Sequence, residues 1–227
     1  MSQLYRHERI QDIGTQLFAA AGAEESQAAI ATAALVQSSL MGHDSHGVMR
    51  IPEYLGFIDD GSLKPAAETI ATETGPSTAR VDCGYGFGAV GGAVAIEKGI
   101  EIAREHQTAC VITRECNHVG RLGAYTQMAA DAGFIALATC NSPIYGHFVL
   151  PFGGKEGRLA TNPIAYGIPT AGDPAADFKR RKRGQHRPQT GLFRRCDDRA
   201  IRSAGLGSPE LFETIPIQPP RDRCCVL

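Results

Sequence analysis

The feature that most restricts what this chain can fold into is a break in its own chemistry at Phe178. Before the break, β-favouring runs alternate with runs of helical periodicity, and glycines stand at their ends; after it neither period is sustained. Charge changes at the same place. Residues 1–178 carry 11 Lys and Arg against 19 Asp and Glu, whereas residues 179–227 carry 12 against 5. The first piece predicts an α/β (mixed α+β) fold, and the Arg- and Pro-rich tail predicts mostly disorder.

Ile10, Ile13 and Leu17, then Ile30, Ala33, Val36 and Leu40, recur at helical spacing with Gly22 and Gly42 as stops, so two antiparallel helices are expected. Val48, Ile51, Leu55 and Ile58 predict a third helix ending at Gly61, with Pro52 tolerated in its first turn. GHDSHG at 42–47 is a polar loop between them. The runs around Gly75 and Pro76 predict a hairpin, and Gly84, Gly86 and Gly88 lead into a helix from about Ala89 to His106. ACVIT at 109–113 and FIALATC predict buried strands on either side of a short helix ending at Gly133, and IAYGIP predicts one more strand. The organisation expected is a helical portion at 1–65, an α/β portion at 66–178 and a basic tail at 179–227.

With 227 residues, 43% of them hydrophobic, the chain can bury a core without staples. No apolar run approaches the roughly 20 residues that span a bilayer, and the polar N-terminus does not resemble a secretory signal, so a cytoplasmic protein without membrane contact is expected. The seven cysteines form no C-x-x-C pair, which points to thiols and away from a metal site or a redox dithiol.

Four segments carry chemistry. Gly86-Phe-Gly88-Ala-Val-Gly91 follows a strand and opens a helix, as a dinucleotide fingerprint does, with Glu115 beyond the next strand. The preceding strand reads as the second arm of a hairpin and not as the start of a βαβ unit, so a tight packing turn is the competing reading. His43-Asp-Ser45-His46-Gly-Val-Met-Arg50 lacks a third ligand for a metal, but offers an imidazole and, four residues on, a guanidinium able to clamp a carboxylate. Asn117-His118-Val-Gly120-Arg121 follows a strand, where open α/β sheets place chemistry. Two His/Arg pairs, His46 with Arg50 and His118 with Arg121, are what reduction of a 2-oxo acid needs: an acid for the forming alkoxide and a cation for the carboxylate. The loops PFGG at 151–154 and Leu159-Ala-Thr161-Asn162-Pro163 could face a cofactor or simply turn the chain.

Together, GHDSHGVMRIPEY at 42–54, NHVGRLGAY at 117–125, PFGG at 151–154 and ATNPIAYGIP at 160–169 resemble the type-2 malate/L-lactate dehydrogenase family over about residues 7–178. The resemblance implies NAD- or NADP-dependent interconversion of a 2-hydroxy acid and a 2-oxo acid, the family's substrates including malate, lactate, sulfolactate and ureidoglycolate. It implies a homodimer and a cofactor domain unlike the Rossmann fold. It implies His46 or His118 as proton donor, Ser45, Arg50 and Arg121 near substrate, and Gly120, Ser142, Thr161, Asn162, Pro163 and Asp177 near the cofactor.

The family pattern stops at Ala176-Asp177-Phe178, where Lys179-Arg180-Arg181 replaces what should follow. A frameshift or truncation is the expectation, leaving an incomplete cofactor domain, weak activity and poor solubility. Two rival readings rest on the tail. KRRKR at 179–183 with Arg194 and Arg195 suits nucleic-acid binding but lacks interleaved aromatics, and the terminal Cys-Cys-Val-Leu has the form of a prenylation signal.

Overall fold

The computed structural model describes residues 5–141 and 149–169 and the backbone of 224–226. Three helices open the chain: α1 (His7–Ala20), α2 (Glu25–Leu40) and α3 (Ile51–Asp59). There follow β1 (Ile70–Gly75), β2 (Thr78–Asp82), α4 (Gly88–His106), β3 (Cys110–Arg114), α5 (Gly123–Asp131), β4 (Ala136–Cys140), β5 (Ile164–Gly167) and β6 (Cys224–Val226).

The helical spacing in α1 and α2 is as the sequence suggests, but the face is not. Ile13, Leu17, Ile30 and Leu40 are exposed, while α1 buries Gly14 and Phe18 and α2 buries Ala28, Ala31, Thr32, Leu35, Val36 and Ser38. Small residues win because the two helices approach closely: a Cβ on Gly14 would lie 2.6 Å from Thr32 Cγ2. Helix α2 also packs on α4 and on the turns that follow it, so it is covered on more than one side. Phe18, Leu35, Ile51, Tyr54 and Leu63 form one core cluster with Phe87 and Val90 at the start of α4. Pro52 falls in the first turn of α3, where its missing N–H costs nothing.

The sheet has the order β1-β2-β3-β6-β4-β5. Strands β1 and β2 form the expected antiparallel hairpin, yet β2 also pairs in parallel with β3 across α4, with Val81 opposite Thr113. The hairpin arm is therefore the first strand of a βαβ unit as well, contrary to the sequence reading. The strands read as fully buried are covered on one face only. Val111, Ala138 and Ala165 pack with Ala95, Ile96 and Ile102 of α4 and Tyr125 and Ala129 of α5, while Ile112, Leu137 and Tyr166 are exposed. Period-2 alternation was masked there by apolar residues standing on both faces.

The tail also departs from expectation at one point. Strand β6 lies antiparallel to β3 and β4 at once, with Cys225 opposite both Thr113 and Cys140. Residues 170–223, which include the basic run, lie outside the described residues. Among the described residues no helix is long and apolar enough to cross a membrane.

Helix α4 decides the dinucleotide-fingerprint reading. Gly88 through Gly92 are buried, and a Cβ on Gly88 would stand 2.3 Å from both the Asn117 and His118 carbonyl oxygens. A Cβ on Gly91 would stand 2.5 Å from Cys83 Sγ. The helix N-terminus that a pyrophosphate would occupy is filled by the 117–118 backbone, so these glycines serve close packing.

Candidate functional site

Two loops meet over α3. The first is not the irregular loop suggested by its composition: it winds into two single turns of 3-10 helix, Asp44–His46 and Val48–Arg50. It is pinned at its start by the His43 N–H to Ser38 carbonyl bond of 2.9 Å, and in its middle by Ser39 Oγ, which accepts from Val48 N–H at 3.1 Å. Gly47 is required there, since its Cβ would lie 2.1 Å from Ser39 Oγ. The second loop follows β3 and is anchored by buried Asn117, whose amide donates to the Ser62 carbonyl at 3.1 Å and the Tyr85 carbonyl at 2.6 Å.

These anchors set the His46 and His118 rings 5.2 Å apart at an interplanar angle of 34°. His118 Nδ1 is 2.7 Å from Tyr54 Oη, and His46 Nδ1 is 3.0 Å from Ser45 Oγ. In both rings Nδ1 is engaged, so Nε2 is the nitrogen left for a ligand. Arg50 donates from Nε to the Ser45 carbonyl at 2.6 Å and from Nη1 to Glu53, leaving Nη2 for another acceptor.

The electrostatics follow from burial and from the crowd of cations. Burial, then His46, then Arg50 push His118 down to about 3. Burial first, then Arg50 and His43, lower His46; burial and then Arg121 lower His43. Burial holds the Tyr54 phenol well above its ordinary value, so it stays protonated. Arg121 is 5% exposed, and its Nε and Nη2 make no hydrogen bond.

Of the residues singled out in the sequence, His46, His118, Ser45 and Arg50 come together, with Arg121 acting on the neighbouring His43. Gly120 stands two residues from His118 at φ 74°, with no atom of the described residues within 4 Å of its Cβ position. Thr161, Asn162 and Pro163 lead into β5, and among the described residues no hydrogen bond or ring contact joins them to either histidine. Ser142 and Asp177 lie outside the described residues. Among the described residues no three His, Cys, Asp or Glu side chains group as metal ligands.

Sequence reasoning missed Tyr54, Asn117 and Ser39. Tyr54 had a signal, since it lies three residues past Ile51 on the buried face of α3 and carries the polar tip that a buried tyrosine must satisfy.

The comparisons with known proteins fit this geometry. Residues 5–178 match the family model described as malate/L-lactate dehydrogenase. The chain belongs to the malate/L-lactate dehydrogenase family. Within that family it is 39% identical over 154 residues to a malate dehydrogenase of Pyrococcus abyssi, covering 67% of this chain and 41% of that one. It is 35% identical over 144 residues to an L-sulfolactate dehydrogenase of Methanocaldococcus jannaschii, covering 63% and 41%. Among solved structures, the malate dehydrogenase of Pyrococcus horikoshii superposes with a TM-score of 0.69 at 34% identity, covering 74% of this chain and 47% of that one. The chain thus spans less than half the length of these malate/L-lactate dehydrogenase relatives.

Proposed function

We propose that the chain carries the substrate-side machinery of an NAD(P)-dependent oxidoreductase that interconverts a 2-hydroxy acid and a 2-oxo acid. The observation that carries this reading is the convergence of His46 and His118, 5.2 Å apart and with Nδ1 engaged in each, beside a guanidinium that acts on both.

Arg50 Nη2 receives the substrate carboxylate, and its bonds to Ser45 and Glu53 hold the guanidinium plane for that contact. The carboxylate offsets the cation that lowers both imidazoles, so binding substrate favours protonation of the pair. A ring that has taken up this proton delivers it from Nε2 to the carbonyl oxygen as negative charge builds there, a contribution typically of about 10²- to 10⁴-fold. Tyr54 and Ser45 engage Nδ1 of the two rings and so leave Nε2 as the nitrogen for this transfer. A nicotinamide dinucleotide supplies the hydride when bound, with Gly120, Thr161, Asn162 and Pro163, together with Ser142 and Asp177, as the residues that would hold it.

The proposal extends to a second copy of the chain as partner, which the exposed Ile13, Leu17, Ile30 and Leu40 on α1 and α2 support, and to a cytoplasmic setting, which the thiol state of Cys83, Cys110, Cys116 and Cys140 supports. The test is oxidation of NADH and NADPH by a panel of 2-oxo acids, with calorimetric binding of the same acids in parallel. Turnover abolished by His118→Gln or His46→Gln, with a raised KM in Arg50→Lys, supports the reading. Absence of both turnover and acid binding across the panel refutes it.

A further inference from the structure

The hydrophobic cluster beneath the His118 loop holds two thiols that no step proposed above uses. Cys83 follows β2 and is wholly buried; Cys116 lies two residues past β3 and is 4% exposed. Both sulfurs crowd one point. A Cβ on Gly91 of α4 would stand 2.5 Å from Cys83 Sγ and 3.1 Å from Cys116 Sγ, so the pair fills the space of that missing side chain.

The backbone sets the two residues side by side. The Cys83 N–H donates to the Arg114 carbonyl at 3.1 Å, and the Tyr85 N–H donates to the Glu115 carbonyl at 2.6 Å. Segments bonded in this way run about 4.8 Å apart, inside the roughly 4.4–6.8 Å between Cα atoms that a disulfide spans. Strict alternation along β3, which buries Val111 and Thr113, would turn residue 116 to the opposite face. Glu115, at φ 49°, breaks that period, and Cys116 is buried in the same cluster as Cys83 instead. The two thiols meet the Val81 and Gly88 carbonyls across 3.9 and 4.0 Å, weak contacts that yield readily to a covalent bond.

We propose that Cys83 and Cys116 are a redox-modification site, closed to an intramolecular disulfide by hydrogen peroxide and reopened by a dithiol reductant. Cys116, which keeps a little exposure and lies in a loop, meets the oxidant. Its sulfur attacks the peroxide, the O–O bond breaks, and a sulfenic acid forms with release of one water. Cys83, closed off from solvent, is reached by the neighbouring sulfur. It attacks the sulfenic sulfur, the S–O bond breaks, and hydroxide departs with the Cys83 proton as a second water. Two thiols have lost two electrons and two protons, and one peroxide has become two waters. A dithiol reverses this by exchange and is itself left as a disulfide. Because Cys116 leads directly into Asn117 and His118, the bond fastens the backbone that carries one of the two site rings to the end of β2. This holds whatever acid the site binds.

The reduced full chain is treated with hydrogen peroxide, the excess is removed with catalase, and the protein is alkylated with iodoacetamide and mapped by mass spectrometry without reductant. The peptides carrying Cys83 and Cys116 are found joined, and dithiothreitol returns both to alkylatable thiols. Mapping of wild type carries the test without any substitution. Cys83→Ala, shown to fold by its urea transition, adds to it: with the second sulfur gone, the sulfenic acid at Cys116 persists and is trapped by dimedone, whereas wild type takes up little dimedone there. The His118 ring resonance moves on oxidation and returns on reduction. The proposal is overturned if both cysteines stay alkylatable in the folded protein while exposed Cys110 is oxidised, or if Cys116 goes on to the sulfinic acid without joining Cys83. It is equally overturned if either cysteine joins a different one, or if the joined peptides appear only after urea has unfolded the chain. A disulfide that leaves the His118 resonance in place overturns its reach to that loop.

Discussion

Lowering the pH tests the electrostatic account of the site most directly. His118 is pushed from the ordinary 6.5 down to about 3, with burial as the leading cause and His46 and Arg50 adding to it. In the unfolded chain the same imidazole takes up a proton near pH 6.5, so between that pH and about 3 the unfolded state binds more protons than the folded one. Stability is therefore full above the unfolded pKa and falls as the pH drops through the window. At about pH 5 the unfolded state is favoured by about 2 kcal/mol relative to about pH 7, from 1.36 kcal/mol per pKa unit over the interval below 6.5. Below about pH 3 the loss levels off at about 5 kcal/mol. His43 and His46, shifted in the same direction, steepen the fall. Urea denaturation of wild type and His118→Gln at a series of pH values measures this. The variant loses about 2 kcal/mol less than wild type between about pH 7 and about pH 5. Parallel losses in the two proteins refute the assignment of a buried, neutral His118.

Three further outcomes follow from named contacts. Tyr54→Phe removes the 2.7 Å bond to His118 Nδ1 and costs about 1 kcal/mol in denaturant, while NMR titration of His118 still finds its pKa depressed, because burial and not the phenol is the main cause. Gly88→Ala drives a methyl group onto the Asn117 and His118 carbonyls and costs about 1–3 kcal/mol, measured as a lowered urea midpoint, together with a shifted His118 ring resonance. Phe18→Ala empties the centre of the cluster shared by α1, α3 and α4, where Phe18 meets Phe87 at 5.1 Å and Tyr54 at 6.2 Å between ring centroids. It lowers stability by about 3–5 kcal/mol in the same assay.

Much of the architecture was legible because local signals agreed with one another. Gly22 and Gly42, both at positive φ, end α1 and α2 as their positions suggest, and Gly75 with Pro76 turns the hairpin. The chain-internal spacing of His46 to Arg50 and of His118 to Arg121 singled out two loops whose histidine rings the fold sets 5.2 Å apart. Burial was less legible. Ile13 and Leu17 have the period of a core stripe, yet the closeness of α1 to α2 gives the interface to Gly14 and Thr32, and no single-helix pattern carries that information. The double role of β2 escaped for the same reason, since nothing within a strand says what pairs along its second edge.

What the amino-acid sequence determined by itself is the set of elements from α1 to β5, their order, and the two short motifs that supply imidazole and guanidinium. Those depend on contacts within a few residues, which propensity and turn chemistry decide. The tertiary structure alone decided that residues 72 positions apart become ring neighbours, that Tyr54 holds His118, and that Arg121 is buried with Nε and Nη2 unpaired among the described residues. Each of these depends on which loops the packing of α4 against the 117–118 backbone brings together, and on how much water that packing removes. Desolvation is a property of the assembled surroundings and not of the residue, so a histidine or an arginine in a sequence cannot announce it.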